Sequence, residues 1–202
     1  MPAGFLLVLS GPSGAGKGTV CEALMKESDD VVFSTSVTTR SKRPSEVDGV
    51  NYFFVDENRF NEMTENGELL EYAKVHENYY GTPKKFVDEQ IKNGEIVILE
   101  IDVQGAMQVK KKFDNAIYIF LLPPNMEELK RRIIGRATED SDVVELRFKN
   151  AFKELDYIES YDYVVINETV EQAVEDIKTI ISAERLRVKR HKHIKESVTK
   201  GY

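Results

Sequence analysis

Between Gly11 and Thr19 the chain reads Gly-Pro-Ser-Gly-Ala-Gly-Lys-Gly-Thr, a pattern suited to holding a polyphosphate. Glycines let successive backbone N–H groups curl round an anion, a helix beginning at the same point adds its unpaired N–H groups, and Lys17 supplies a full charge. Gly11, Pro12, Ser13, Gly14, Ala15, Gly16, Lys17, Gly18 and Thr19 are therefore candidate phosphate-binding residues. The hydroxyl residue comes one place later than in the commonest such loops, at Thr19 in place of Gly18, so a direct hydroxyl bond to magnesium is not assured. A second constellation is Glu100 and Asp102, two apart after an apolar run, which share one side if the strand persists through them. A third is the arginine-rich stretch Arg131 to Arg147, with Gly135 as a breaker. No Ser/His/Asp nucleophilic arrangement is evident, and His76, His191 and His193 form no metal-ligand set.

The elements that must position these groups are partly visible. Phe5 to Leu9, Ile96 to Ile101 and Ala116 to Leu122 are short apolar runs rich in β-branched residues, and Tyr163 to Ile166 is a shorter one. Strands of this kind, buried on both faces, build a parallel sheet covered by helices. Asn125 and Glu128 frame one helix start. Thr169 and Gln172 form a capping box before the apolar face of Val170, Ala173, Val174, Ile177, Ile180 and Ile181. Between Val37 and Asn93 the texture changes to aromatic strand candidates at Tyr52 to Val55 and Leu69 to Val75 around a polar helix near Asp56 to Glu65. Pro83 then opens a helix that stops near Asn93-Gly94, so this stretch reads as a small α+β insertion.

Composition narrows the class. The chain has 202 residues, 41% hydrophobic and 31% charged, which suits one full-sized globular domain with insertions. Its longest apolar run, Ala116 to Leu122, is far short of a membrane span, and the N-terminus lacks a signal-type pattern; a soluble, unexported protein is expected. Cys21 is the only cysteine, which excludes an intramolecular disulfide and fits a cytoplasmic setting. The net charge of −7 is unevenly spread. From Arg185 to Tyr202 seven Lys or Arg and one Glu give +6, whereas the other 184 residues, with 21 basic and 34 acidic, carry −13. An acidic body argues against broad nucleic-acid binding and requires phosphate-binding cations to be concentrated locally.

Taken together, Ser36-Val-Thr-Thr-Arg40, Arg43, Glu46-Val-Asp-Gly49 before Tyr52, Glu68-Leu-Leu-Glu71, Asn78-Tyr-Tyr-Gly-Thr82, Glu100-Ile-Asp102-Val-Gln-Gly105 and Gly135-Arg-Ala-Thr-Glu-Asp140 closely resemble guanylate kinases. The resemblance runs from about Gly4 to about Arg185. It implies an α/β fold of the P-loop nucleoside monophosphate kinase type, with a central, mainly parallel five-stranded sheet flanked by helices. The implied divisions are a core of about 4–36, 94–125 and 148–185, a GMP-binding insertion of about 37–93, a lid of about 126–147, and a basic tail of 186–202. The implied reaction is Mg2+-dependent in-line transfer of the ATP γ-phosphoryl group to GMP, giving ADP and GDP in cytoplasmic purine nucleotide metabolism.

Residue by residue, the resemblance implies that Arg40, Arg43, Tyr52 and Tyr80 hold the GMP phosphate, and that Ser36, Glu71, Thr82 and Asp102 form the guanine pocket. The chemistry agrees: arginine forks and phenols suit phosphate, and a carboxylate can take the paired ring N–H and amino donors that guanine has and adenine lacks. Thr82, before Pro83, could instead cap the following helix. Lys17, Arg132, Arg136 and Arg147 are the implied catalytic cations, with Glu100 toward magnesium through water and Thr19 a second candidate ligand. This chain departs from the usual pattern in Glu100, where aspartate is common, and in Ala137, where glycine is usual. A guanylate-kinase-like binding module, an adenylate-kinase-like enzyme and a homo-oligomer stay open at this stage, as does an RNA contact by the basic tail.

Overall fold

Alternation along the first apolar run determines how the sheet is buried. In a strand successive side chains point to opposite faces. Leu7 and Leu9 enter one core with Val20, Leu24, Ile98, Ile119 and Ile177, while Leu6 and Val8 enter a second with Val87, Leu99, Ala106 and Val109. A sheet apolar on both faces must be sandwiched by helices. The computed structural model describes residues 3–75, 77–113, 115–135, 141–191 and 193–200.

The order is β1 (Phe5–Ser10), α1 (Lys17–Glu27), β2 (Val31–Phe33), β3 (Val37–Thr38), β4 (Phe53–Phe54), α2 (Glu57–Glu65), β5 (Leu69–Val75), β6 (Asn78–Pro83) and α3 (Lys84–Lys92). It continues with β7 (Ile96–Glu100), α4 (Val103–Lys112), β8 (Ile117–Leu122), α5 (Met126–Gly135), α6 (Ser141–Leu155), β9 (Tyr163–Ile166), α7 (Val170–Arg185) and α8 (Ile194–Thr199). The main sheet has five parallel strands in the order β2-β7-β1-β8-β9. Phosphate-binding loops in such sheets sit at the carboxyl ends of strands, where Ser10, Glu100 and Ile166 end β1, β7 and β9. A second, four-stranded sheet, β4-β3-β6-β5, packs on α2 through Val37, Phe60, Met63 and Leu69.

The helix signals act as their chemistry dictates. Asp56 accepts the Arg59 N–H at 2.7 Å to start α2, Asn125 accepts that of Glu128 at 2.8 Å to start α5, and Thr169 accepts that of Gln172 at 3.2 Å to start α7. β7 ends at Glu100, however, and Asp102 is the N-cap of α4, accepting the Gly105 N–H at 2.7 Å. The strand thus stops before Asp102, so the condition for the same-side expectation of Glu100 and Asp102 is not met, although both carboxylates act on Lys17. α5 and α6 pack on each other through Leu129, Ile133 and Ala151, and residues 136–140 between them lie outside the described ones.

The basic tail does not simply extend from the body. Arg190, 6% exposed, stacks its guanidinium 3.9 Å from the Phe5 ring centroid and donates to the Glu184 carboxylate at 3.0 Å and to its carbonyl at 2.9 Å. Tyr163 and Arg187 also donate to that carboxylate. Burial pushes the Glu184 carboxyl up, but these three donors outweigh it and hold the group below the usual carboxylate range. Removing one partner of such a pair strands a buried charge. Arg190→Ala should therefore cost about 3 kcal/mol at pH 7. Thermal melting should read that cost as a drop of about 6–12 °C, with partial recovery when Glu184→Gln is added; an unchanged midpoint would reject the clasp.

Candidate active site

The phosphate loop leaves β1 and re-enters the fold at α1. Gly16 has φ +94°, and a Cβ there would collide with the Asn167 amide nitrogen, so both conformation and space require glycine. α1 begins with no side-chain cap and no acidic residue in its first turn, so its N–H groups remain available to an anion. Lys17 turns back over the loop and donates to the Gly11 carbonyl at 2.6 Å and the Pro12 carbonyl at 3.2 Å. Burial lowers its pKa, and Glu100, Glu154 and Asp102 oppose that shift.

One wall of the loop was not legible from its own motif. The Asn167 amide donates to the Ala15 carbonyl at 2.7 Å, and Arg132 donates to the Asn167 carbonyl at 3.0 Å and to that of Ala15 at 3.4 Å. With Gly14, Gly16, Thr19, Glu168, Thr169 and Val170 these residues line a groove of about 480 Å³. Asn167 directly follows the apolar run of β9, the one sequence signal that points to it, and Thr169 reads in the sequence only as a helix cap. Arg132 is held by Glu128 at 2.7 Å, and Arg131, on the same carboxylate, is 75% exposed. Arg147 lies on α6, and Arg136 lies outside the described residues.

A second cluster forms at the end of β3. Arg40 donates to Glu46 at 2.6 Å, and its guanidinium lies 5.5 Å from the Tyr52 ring centroid. Tyr80 also interacts with Arg40, and the Tyr52 and Tyr80 rings meet edge to face at 5.9 Å. Three of the four expected phosphate donors are thus together. Arg43 joins only through its backbone N–H, which donates to Glu46 at 2.8 Å; its side chain is exposed. Glu46, which the resemblance leaves without a role, is the counter-ion of Arg40 and accepts the Arg43 backbone N–H. Hydrogen bonds from Arg40 and Arg43 lower its pKa.

The third cluster lies where the second sheet meets the start of α4. Glu71 on β5 is 6% exposed and accepts the Thr82 hydroxyl of β6 at 2.6 Å. Thr82 does not cap α3, whose N-cap is Pro83 without a side-chain bond. The second Glu71 oxygen faces Gly105, where a Cβ would stand 3.1 Å from it and 3.4 Å from Asp102 Oδ1. Two carboxylates thus converge on one bare helix turn. Burial, with a push from Asp102 and against the Thr82 bond, raises the Glu71 pKa to about 7. Ser36 is half-buried just before β3, where its carbonyl accepts the Phe53 N–H at 2.9 Å.

The geometry is that of a phosphate loop facing an acidic pocket and a separate cationic cluster. A guanylate kinase family model matches residues 4–184. The chain belongs to the guanylate kinase family. It is 53% identical over 191 residues to a guanylate kinase of Caldanaerobacter subterraneus, covering 95% of this chain and 93% of that one. It is 51% identical over 191 residues, with the same coverage, to one of Clostridioides difficile. The crystal structure of guanylate kinase from Anaplasma phagocytophilum superposes with a TM-score of 0.78 at 35% identity, covering 99% of this chain and 96% of that one. Membership of the guanylate kinase family makes the chain a phosphotransferase with a mixed α/β fold. Among the described residues no helix is long and apolar enough to cross a membrane.

Proposed function

We propose that the chain transfers the γ-phosphoryl group of ATP to the phosphate of GMP, forming ADP and GDP, in cytoplasmic purine nucleotide metabolism. The observation that carries this reading is the buried Glu71 carboxylate, braced by Thr82 on one oxygen and open toward Gly105 on the other. Guanine offers a ring N–H and an amino N–H side by side, and a carboxylate accepts both. The groove at Asn167 and Thr19 is the natural seat for the donor nucleoside beside its phosphates.

The chain's groups divide the work. N–H groups of the loop and of α1 hold the donor phosphates, and Lys17 exchanges its two carbonyl partners for phosphate oxygens. Arg40, Tyr52 and Tyr80 hold the acceptor phosphate, Arg43 closes on it, and Glu46 keeps Arg40 oriented until the phosphate arrives. An acceptor oxygen attacks the γ-phosphorus in line as the bond to the ADP oxygen breaks. Arg132, Arg136 and Arg147 offset the charge spread over the migrating group. No covalent enzyme intermediate is required.

Magnesium fits the residues present. The Glu100 carboxylate lies against Gly18, where a Cβ would meet its oxygens at 3.4 and 3.5 Å, so a carboxylate occupies the neighbourhood in which commoner loops place a hydroxyl. The ion would be bound mainly by the donor phosphates and water. Glu100 would hold it, with Thr19 a second candidate, and the ion would neutralise the donor phosphates. A coupled assay of ADP formation checks this: turnover should require both ATP and GMP, vanish with excess EDTA and return with Mg2+. Full activity in EDTA would reject the metal, and ADP formation independent of GMP would reject the acceptor.

A further inference from the structure

Glu154, the penultimate residue of α6, has no place in the mechanism above, yet its carboxylate interacts with two residues of the phosphate loop, Lys17 and Ser13. Its Oε2 is buried without a hydrogen-bond partner. The groups that favour its charged form are the Lys17 ammonium and the Ser13 backbone N–H; burial and Asp102 oppose it, with burial the larger, so its pKa is raised. Two more polar atoms, Ser10 Oγ and Tyr161 Oη, are buried without a well-formed hydrogen bond. Tyr161 interacts with Ser10, Asp102 and Glu154, and its ring is fixed edge-on to Phe120 at 4.8 Å. Buried polar groups left unpaired are costly, so three gathered behind one loop call for a reason. The segment is anchored as well: Lys110 of α4 donates to the Ser160 carbonyl, and Gln104 donates to the Tyr157 hydroxyl at 3.4 Å.

We propose that Glu154 is a positioning residue for phosphoryl transfer, its carboxylate bracing the phosphate loop at Ser13 and steering the Lys17 ammonium, with Ser10 and Tyr161 as its buried polar backing. The argument is steric and electrostatic. Lys17 spends two hydrogen bonds on the loop carbonyls, and Glu154 approaches from α6, outside the loop. Ser13 is exposed and precedes the glycines that curl round an anion, so a brace there fixes the loop without occupying its phosphate face. Misplacing a reacting group by a fraction of an ångström is felt in rate more than in affinity.

The proposal rests on the guanylate kinase reading, and the experiment separates the two. Wild-type turnover of GMP tests the reading; Glu154→Gln and Glu154→Ala in the same assay test the residue. Both variants should lower kcat by about 10- to 100-fold while the KM for GMP stays within about twofold and melting within about 3 °C. A readout independent of turnover is the Lys17 side-chain NMR resonance in free protein at pH 7. It should move in Glu154→Gln and stay fixed in Glu159→Gln, an exposed control. If alanine prevents folding, the near-isosteric glutamine decides. A kcat within twofold of wild type, a loss confined to melting temperature, or an unmoved Lys17 resonance would each overturn the proposal.

Discussion

Lys17→Met should lower kcat by about 1,000-fold or more, the largest loss expected from any single change in the described site. Removing one well-placed neutral donor from a transition-state site costs about 3–4 kcal/mol, and Lys17 brings a full charge to a loop where it is already enclosed. Stability should move the other way. Burial lowers the folded pKa below the ordinary 10.5, so the folded free enzyme disfavours the ammonium. A depressed folded pKa means that stability is fully present above the unfolded value and lost as pH falls through the folded one; at neutral pH Lys17 therefore costs stability. The methionine variant should melt at or above the wild-type temperature while failing to transfer phosphate. Single-turnover chemistry and thermal melting check the two halves, and a folded variant with near-normal single-turnover rate would remove Lys17 from the mechanism.

Glu71→Gln should reduce kcat/KM for GMP by about 100-fold and leave the KM for ATP within about twofold. The amide presents one acceptor and one donor, so either orientation leaves a guanine N–H without a partner or faces it with another N–H. Wild type should also show a pH signature. With the Glu71 pKa pushed up to about 7 by burial, kcat/KM for GMP should fall about tenfold per unit below that pH and level off above it; the glutamine variant should be flat in that range. A raised folded pKa contributes stability fully present below the unfolded value of 4.5 and lost as pH rises through about 7. Glutamine should thus raise the melting temperature relative to wild type above pH 7. Equal losses for GMP and ATP would argue that Glu71 supports the fold in place of reading the base.

What the sequence made legible follows from how each feature is encoded. β5 and β9 begin and end where apolar or aromatic runs do, and α5 and α7 start at side chains that cap them locally. β2, three residues long, has no pattern of its own and exists because Val31 to Phe33 pair with β7. β6, Asn-Tyr-Tyr-Gly-Thr-Pro, is not among the strand candidates of the sequence and forms where β5 and β3 pair with it on either side. The phosphate loop is contiguous and could be found by inspection, whereas the partner of Ala15 is Asn167, 152 residues away. Glu154 carries no sequence signal for the same reason, because only the packed end of α6 brings it to the loop. Glu71 is intermediate: its role came from resemblance, and its burial and its bond to Thr82 needed the second sheet. The −7 charge is compatible with two phosphorylated substrates because cations are gathered locally, Arg40 and Arg132 on acidic partners and Lys17 on loop carbonyls.

The central claim is that a buried carboxylate selects a guanine acceptor for a phosphate loop to act on. The most direct measurement is the ratio of kcat/KM for GMP to that for AMP, with saturating ATP and Mg2+ in a coupled ADP assay. A site built to satisfy paired donors rejects an analogue lacking them by about 10⁴-fold, and the account predicts a ratio of about that size for the wild-type protein. A ratio near one, or folded protein that turns over neither nucleotide, would contradict it.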